Sequence, residues 1–302
     1  MSDIKLFRIG NDGVSEIAGQ SVVLEKSLQT LIEQNLEKLL GVRFIKSEHS
    51  TGKVHSGRID TLGIDENGFP VIVEFKRSLN ESVINQGLFY IDWLMDHQGD
   101  YHVLVQKSLG AAVADTINWS NPRLLCIAGD YTRYDEHMVK QIERTIELIR
   151  YRLYGDNLLM LELVNAVFAP LNRGENGRTV ATSKGAAQTV SDSLERASPQ
   201  VKALFEGFEA YVTALGDDVQ KNVLQVYIAF RRIKNFACVQ FTRSEMIITL
   251  KINPDTVTLE ESFSRDVRNI GHNAPGDLEL RIDTPDDLER AKSLILRSYE
   301  SS

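Results

Sequence analysis

The sequence predicts an α/β protein with a mixed sheet flanked by helices, followed by a smaller α+β C-terminal domain. Three observations support this fold class: helical stripes and alternating strand-like runs are interleaved over residues 1–168, a stretch rich in Gly, Ser, Thr and Ala follows, and further helices and strands come after it. At 302 residues, the chain is longer than the roughly 100–150 residues typical of one domain. We therefore expect a first domain at 1–168, a flexible linker at 169–199 and an accessory domain at 200–302.

The first elements of the chain follow from local patterns. Residues 4–9 and 14–18 are predicted to form a short hairpin. From Val22 to Leu40, the leucines follow one helical stripe, and Gly41 is expected to end this helix in the C′ position. The later elements predicted for this domain are, in chain order, strands at 57–65 and 70–76, a helix from Asn80 to about His97, a strand at 124–128, a helix at 136–146 and two strands that flank 155–157.

The accessory domain shows the same kinds of signal. Thr284-Pro285-Asp286-Asp287 is typical of a helix start, with Thr as the cap, Pro in the first position and acids in the first turn. The other elements predicted there are a helix at 201–215 and strands at 236–241, 246–252 and 278–282. Helices and strands together indicate an α+β domain.

Composition and charge exclude several classes of protein. With 42% hydrophobic and 25% charged residues, the chain is neither mainly disordered nor fibrous. Its two cysteines, Cys126 and Cys238, are too few and too far apart for a disulfide scaffold or a thiolate zinc site. The net charge of −8 argues against binding nucleic acid through a basic field over the whole surface. A local basic groove stays possible.

Membrane insertion has no support in the sequence. No apolar run approaches the roughly 18–20 residues that a membrane span needs. The first thirty residues lack the basic segment followed by an apolar one that is typical of a signal peptide. The sequence also shows no Gly-rich nucleotide-binding loop, so it does not favour a transport function. We expect a cytoplasmic protein.

The informative segment is the predicted hairpin around Asn67-Gly68, which is a strong turn signal. A turn there places Asp60 opposite Glu74 and Arg58 opposite Lys76, with all four side chains on one face. Opposed residues have Cβ atoms about 4.5–5.5 Å apart, and like charges at that spacing destabilise a sheet.

A divalent cation between Asp60 and Glu74 would turn this repulsion into attraction. Carboxylate oxygens, waters and substrate phosphate are the ligands that Mg²⁺ or Mn²⁺ prefers. Lys76 would lie beside the ion, where it could orient a water or stabilise charge on a phosphate oxygen. The alternative is a solvated, salt-bridged face. The apolar run Val-Ile-Val before Glu74 favours a site, because charge enters this strand only at its far end.

Asp60, followed by Glu74-Phe75-Lys76, resembles the PD-(D/E)XK nuclease motif in its relaxed form, with Ile59 where the motif has Pro. The surrounding Gly-Arg-Ile-Asp-Thr-Leu-Gly-Ile-Asp and Val-Ile-Val-Glu-Phe-Lys-Arg resemble the catalytic domain of NucS-type (EndoMS-like) endonucleases. The resemblance covers roughly Leu24 to Gln106. It implies a restriction-endonuclease-like fold and an Mg²⁺-dependent endonuclease that hydrolyses phosphodiester bonds in DNA.

The resemblance also implies further site residues. A carboxylate from the preceding helix would join the metal site, and we favour Glu33, with Glu37 on the same face and Glu48 as the weaker candidates. The main-chain carbonyl of Phe75 would be another metal ligand. Gln86, on the helix after the motif, would support the site or contact the substrate backbone, because an amide on an apolar helix is costly unless it is hydrogen-bonded.

Nucleic acid, with DNA as the first choice, is therefore the expected partner. Arg58 and Arg77 are predicted to face phosphates, although balance of surface charge explains each of them equally well. Tyr90 is either a stacking platform for a base or a core aromatic residue. The alternative function is a catalytically silent nucleic-acid-binding or regulatory module on a nuclease fold.

The accessory domain is less informative about function. Its densest basic cluster is the run from Arg231 to Phe236, which could bind nucleic acid, mediate a homodimer or simply be solvated. The segment from about Ala203 to Arg297 resembles a small domain that often follows nuclease-like domains, and the resemblance supplies no role for it.

Overall fold

The computed structural model describes residues 4–11, 13–20, 25–52, 57–76, 82–155, 157–167, 189–271 and 274–302. It divides into two compact units, Met1–Gly177 and Arg178–Ser302. Each unit has its own sheet and its own apolar core. None of the helices in these described ranges is long and apolar enough to cross a membrane.

The first unit is built on a mixed sheet. Its strands are β1 (Leu6–Gly10), β2 (Gly13–Ile17), β3 (Gly19–Gln20), β4 (Val42–Ser50), β5 (Arg58–Asp65), β6 (Pro70–Lys76), β7 (Arg123–Ala128), β8 (Thr145–Tyr154) and β9 (Leu158–Val167). The first two form a separate antiparallel hairpin, as predicted. The main sheet has the order β3-β8-β7-β6-β5-β4, with β9 paired to β8. β6, β7 and β8 are parallel, and the other pairings are antiparallel.

Helices cover both faces of this sheet. They are α1 (Glu25–Gln34), α2 (Leu36–Leu40), α3 (Ser82–Asp96), α4 (Gln98–Leu109), α5 (Ala111–Ala114) and α6 (Arg133–Val139). On one face, Ile72 and Leu124 of the sheet share an apolar cluster with Ile84 of α3 and Val105 of α4. On the other face, α1 contacts β6. β6 is buried along both faces, which explains its continuous apolar run.

The second unit is α+β, as predicted. Its strands are β10 (Gln220–Val223), β11 (Ile228–Arg231), β12 (Asn235–Phe241), β13 (Met246–Leu250), β14 (Ser264–Asp266) and β15 (Leu278–Ile282), in the antiparallel order β10-β11-β12-β13-β15-β14. Its helices are α7 (Val190–Arg196), α8 (Pro199–Thr213) and α9 (Pro285–Glu300). Thr284 caps α9 in a capping box with Asp287, which confirms the predicted helix start. Phe208 of α8 packs edge-on against Phe230, with ring centroids 5.2 Å apart.

Two predicted helices need correction. The helix predicted at 136–146 is wrong, because a capping box between Thr132 and Asp135 starts α6 earlier and parallel pairing with β7 makes residues from Thr145 onward a strand. The helix predicted from Val22 to Leu40 is interrupted at Asn35, and its residues 22–24 lie outside the described ranges. Gly41 ends the second part in the left-handed conformation, as predicted.

The predicted linker at 169–199 is also wrong at its end. Residues 190–196 form α7, which Thr189 and Asp192 cap and whose Val190 is buried in the core of the second unit. This burial offsets the entropy of ordering the segment. The linker prediction for 169–188, and the cap predicted at Asn80, lie outside the described residues.

Candidate active site

The turn between β5 and β6 fixes the register of the hairpin. Oδ1 of Asp65 accepts the main-chain N–H groups of Asn67 and Phe69, both at 2.9 Å. Gly68 has φ +82°, a conformation that side chains rarely adopt. The resulting pairs run from Ile64–Pro70 to Thr61–Val73, which confirms the register predicted from the sequence.

The β5–β6 ladder ends at the pair Thr61–Val73, one step before the acidic residues. β6 continues its parallel pairing with β7 as far as Lys76 and Ala128. The two strands of the hairpin therefore separate at this end. A separation at the end of a hairpin breaks fewer ladder hydrogen bonds than one in its middle.

The carboxylates of Asp60 and Glu74 bridge the separated strands. Oε1 of Glu74 accepts the main-chain N–H of Asp60 at 3.1 Å, and Oδ2 of Asp60 accepts the main-chain N–H of Phe75 at 3.0 Å. Each side chain thus takes the place of a ladder acceptor for the opposite strand. The two acids lie at the same end of the hairpin and are held by main-chain donors, so they do not form the plain cross-strand pair predicted from the ladder.

Burial sets the electrostatics of this end of the hairpin. Glu74 has no exposed surface, whereas Asp60 and Lys76 are half-buried. A buried carboxylate is costly unless it accepts hydrogen bonds, so the N–H of Asp60 stabilises Glu74. Burial and, after it, the charge of Glu74 hold the pKa of the neighbouring Cys126 thiol far above its usual range.

Glu33 is attached to the same region by two side chains that the sequence analysis missed. Its Oε1 accepts the Thr61 hydroxyl at 2.6 Å and the Gln29 amide at 3.0 Å. The same Gln29 amide donates to the main-chain oxygen of Asp60 at 2.9 Å. Gln29 lies one turn before Glu33 on α1, and this i, i+4 spacing was the available signal. Glu37, the alternative candidate, lies exposed on α2 beyond the break at Asn35.

A fourth acid, Glu48, lies beside this group in a strained backbone conformation. Its φ of +51° is left-handed, which is unusual for a residue other than glycine. Its carboxylate binds the Lys26 ammonium at 2.7 Å and the Arg58 guanidinium at 2.8 Å. Hydrogen bonding to Lys26 and then to Arg58 lowers the pKa of Glu48. The pKa of Lys26 is raised, mainly by the bond to Glu48 and also by the charges of Glu33 and Asp60.

The predicted support residue Gln86 acts through Tyr90. The Gln86 amide donates to the Tyr90 hydroxyl oxygen at 2.9 Å, and the main-chain N–H of Arg58 donates to the same oxygen at 3.1 Å. A Cβ at Gly57 would come within 2.5 Å of the Tyr90 ring, so the close approach requires glycine. With 3% of its surface exposed, Tyr90 lies in the core, so of its two predicted roles the burial favours a core aromatic residue over a stacking platform.

Of the two arginines predicted to face phosphates, the structure describes Arg58. The Arg58 side chain is exposed at the start of β5 and forms its ion pair with Glu48. Arg77 lies outside the described residues.

The donors around the hairpin end are oxygen atoms of carboxylates and of the main chain. This chemistry fits Mg²⁺ or Mn²⁺ and does not fit a thiolate-binding metal. Across the described part of the chain, no group of three or more His, Cys, Asp or Glu side chains lies in a metal-holding arrangement. The match of this site to Mg²⁺ or Mn²⁺ therefore rests on the type of donor atom and on the bridged pair of Asp60 and Glu74.

A family model described as "Domain of unknown function (DUF5655)" matches residues 190–302, which form the second unit from the start of α7. A Haemophilus influenzae protein that carries the description "Uncharacterized protein" is 27% identical, over 98% of this chain and 100% of that protein.

Solved structures resemble part of the chain. A repair endonuclease from Pyrococcus abyssi is 20% identical, with a TM-score of 0.30 over 43% of this chain and 47% of that one. A complex of EndoMS with double-stranded DNA is 18% identical, with a TM-score of 0.28 and the same coverage. The chain thus spans about half the length of these structures.

Proposed function

We propose that this protein is a metal-dependent endonuclease that hydrolyses phosphodiester bonds in DNA. The observation that carries the proposal is the reciprocal bridge at the open end of the β5–β6 hairpin, where Asp60 and Glu74 each accept a main-chain N–H from the other strand. Such a bridge holds two acids at the point where the β5–β6 ladder ends. The motif Asp60…Glu74-Phe75-Lys76 supplies the residue types that phosphodiester hydrolysis needs.

In this proposal, Asp60, Glu74 and the main-chain carbonyl of Phe75 hold Mg²⁺ or Mn²⁺, and Glu33 assists them. The ion, when bound, supplies Lewis-acid polarisation of the phosphate and acidifies a water. Lys76, half-buried at the last position of β6, orients the attacking water and stabilises negative charge on the phosphate.

The surrounding residues would position this group. Gln29 and Thr61 hold the Glu33 carboxylate next to the main chain of Asp60. Gln86 and Tyr90 hold the main chain at Arg58, two residues before Asp60. We assign Gln86 a positioning role, because its amide donates to the buried Tyr90 hydroxyl.

Arg58 and Arg77 are the residues that we propose for contact with substrate phosphates. Arg58 would exchange its ion pair with Glu48 for a phosphate oxygen. The cytoplasm is the compartment that we propose, because Cys126 and Cys238 are both buried as thiols in the described part of the chain. A homodimer stays a prediction, and sedimentation equilibrium would test it.

The proposal is tested by cleavage of labelled single-stranded, duplex and mismatched DNA with Mg²⁺, with Mn²⁺ and with EDTA. We expect cleavage that requires the metal and that Glu74→Ala and Lys76→Ala each lower by roughly 100- to 1,000-fold. Glu33→Ala should lower it as well, whereas the matched control Glu37→Ala, which removes an exposed acid from the neighbouring helix, should not.

Each variant needs a thermal melt, so that loss of activity is separated from loss of fold. DNA binding that is the same in EDTA and in Mg²⁺, with no cleavage of any substrate, would support the silent binding module instead. Cleavage that survives Glu74→Ala would overturn the assignment of the site.

A further inference from the structure

The second unit contains a cleft of about 770 Å³ that the proposed active site does not use. It lies between α7 and the turn that follows β12. Its polar lining consists of Ser193, Arg196, Gln240, Thr242 and Arg243. None of the described residues that line the cleft is acidic.

The two arginines of the cleft differ from the other arginines that the structure describes in this unit. Neither the Arg196 nor the Arg243 side chain forms a hydrogen bond or an ion pair with the described residues. The others all bond an acidic side chain or an oxygen of the main chain or of a threonine: Arg231, Arg232, Arg265, Arg268, Arg281, Arg290 and Arg297. The two guanidinium groups without such a partner are those that line one cleft.

The acids nearest to the two arginines in the sequence do not line the cleft. They are Asp192 and Glu195 on α7 and Glu245 in the turn after β12. The Asp192 carboxylate caps the helix by accepting the N–H of Thr189 at 3.0 Å. That main-chain bond and the Thr189 side chain are the main causes that lower the pKa of Asp192, and the charge of Arg196 is a minor one. Although the chain has a net charge of −8, the two exposed guanidinium groups give this cleft a locally positive potential that attracts anions.

The remaining lining favours an anion that carries an apolar or aromatic part. The Gln240 amide donates to the Val226 carbonyl at 3.3 Å and has a second N–H. Phe241 and Val226 add apolar surface to the same cleft. Arginine forks match the paired oxygens of phosphate groups, and the volume holds more than a single small anion.

We propose that this cleft is a phosphate-binding site, with Arg196 and Arg243 as its two anchors. Its ligand carries phosphate groups, either in a nucleic-acid strand or in a free nucleotide. The site lies entirely within the second unit and is independent of the hairpin that carries Asp60 and Glu74.

The test uses the full chain in EDTA, so that no metal-dependent cleavage takes place. Three probes are titrated: inorganic pyrophosphate and ADP by calorimetry, and a short fluorescein-labelled single-stranded DNA by anisotropy. We expect the variant R196Q/R243Q to bind at least one probe about tenfold more weakly than the wild type or worse. If the DNA strand is the ligand, the slope of log affinity against log salt should also fall by about 0.7 for each phosphate that the variant no longer binds.

The control variant R281Q/R290Q removes the same number of charges from exposed arginines of the same unit and should bind like the wild type. Tight binding of ADP identifies a nucleotide site, and binding of the DNA strand alone identifies a strand-binding site. Glu74→Ala should leave pyrophosphate binding unchanged while it lowers cleavage, so the two proposals can fail separately. The proposal is refuted if no probe binds, if R196Q/R243Q binds like the wild type, or if the control variant loses as much affinity.

Discussion

A buried ion triad beneath the hairpin turn leads to a quantitative prediction. The Arg123 guanidinium binds Asp65 at 2.8 Å and Glu147 at 2.7 Å, and its side chain is 3% exposed while both acids have no exposed surface. Asp65 also accepts the two N–H groups that shape the β5–β6 turn. The triad therefore connects the start of β7 and β8 to the hairpin that carries the proposed site.

Arg123→Met keeps a long apolar side chain but leaves two carboxylates in the core without their shared cation. Removing one partner of a buried ion pair costs about 3–5 kcal/mol, because the remaining charge is uncompensated. For a unit of this size, each kcal/mol lowers Tm by about 2–4 °C, so we expect a fall of roughly 6–20 °C. Circular dichroism melts and urea titrations of the same samples measure it.

The matched control is Arg144→Met. Arg144 pairs with Asp92 at 3.6 Å, and both side chains are exposed, by 43% and 67%. Exposed pairs contribute about 0–1 kcal/mol, so this variant should melt within a few degrees of the wild type. A loss below about 1 kcal/mol for Arg123→Met would refute the view that the triad is a buried, desolvated network.

Two further predictions concern the surroundings of the proposed site. Thr61→Val removes the buried hydroxyl that donates to Glu33 at 2.6 Å, and we expect Mg²⁺ affinity to fall about 10- to 100-fold in a metal titration of cleavage; unchanged affinity would exclude Glu33 from the metal site. Burial, and then the charge of Lys46, lowers the pKa of His49 below 6.5, with Asp100 opposing them. The unfolded chain therefore binds the proton more readily, so this contribution to stability is complete above pH 6.5 and is lost as the pH falls through the lower folded pKa. His49→Gln should flatten the fall in Tm between about pH 7 and pH 5, and an unchanged profile would contradict the assignment.

Local sequence signals were sufficient to predict the hairpin that carries Asp60 and Glu74. Asn67-Gly68 specified the turn, and the two-residue period then predicted the register that the structure has. Thr284 with Pro285, and Gly41, marked helix ends for the same reason, since caps depend only on neighbouring residues. The α/β class followed from the order of these patterns.

Errors arose where distant residues decide the structure. The segment before Thr145 has a helical period, but Thr145 pairs with Arg123 and continues as a strand. α7 was predicted as part of a linker because only packing in the second core, at Val190, shows why it is ordered. In both cases, long-range contacts outweigh weak local preference.

The candidate site likewise has features that the sequence predicts and features that only tertiary contacts determine. Residue types and spacing indicated Asp60, Glu74 and Lys76, because alternation along a strand determines which side chains share a face. The bond from Thr61 to Glu33, the burial of Tyr90 against Gly57 and the two partners of Arg123 all depend on contacts between elements far apart in the chain. A pattern with a period of a few residues carries no information about such contacts, since they form only when the sheet and its helices pack together.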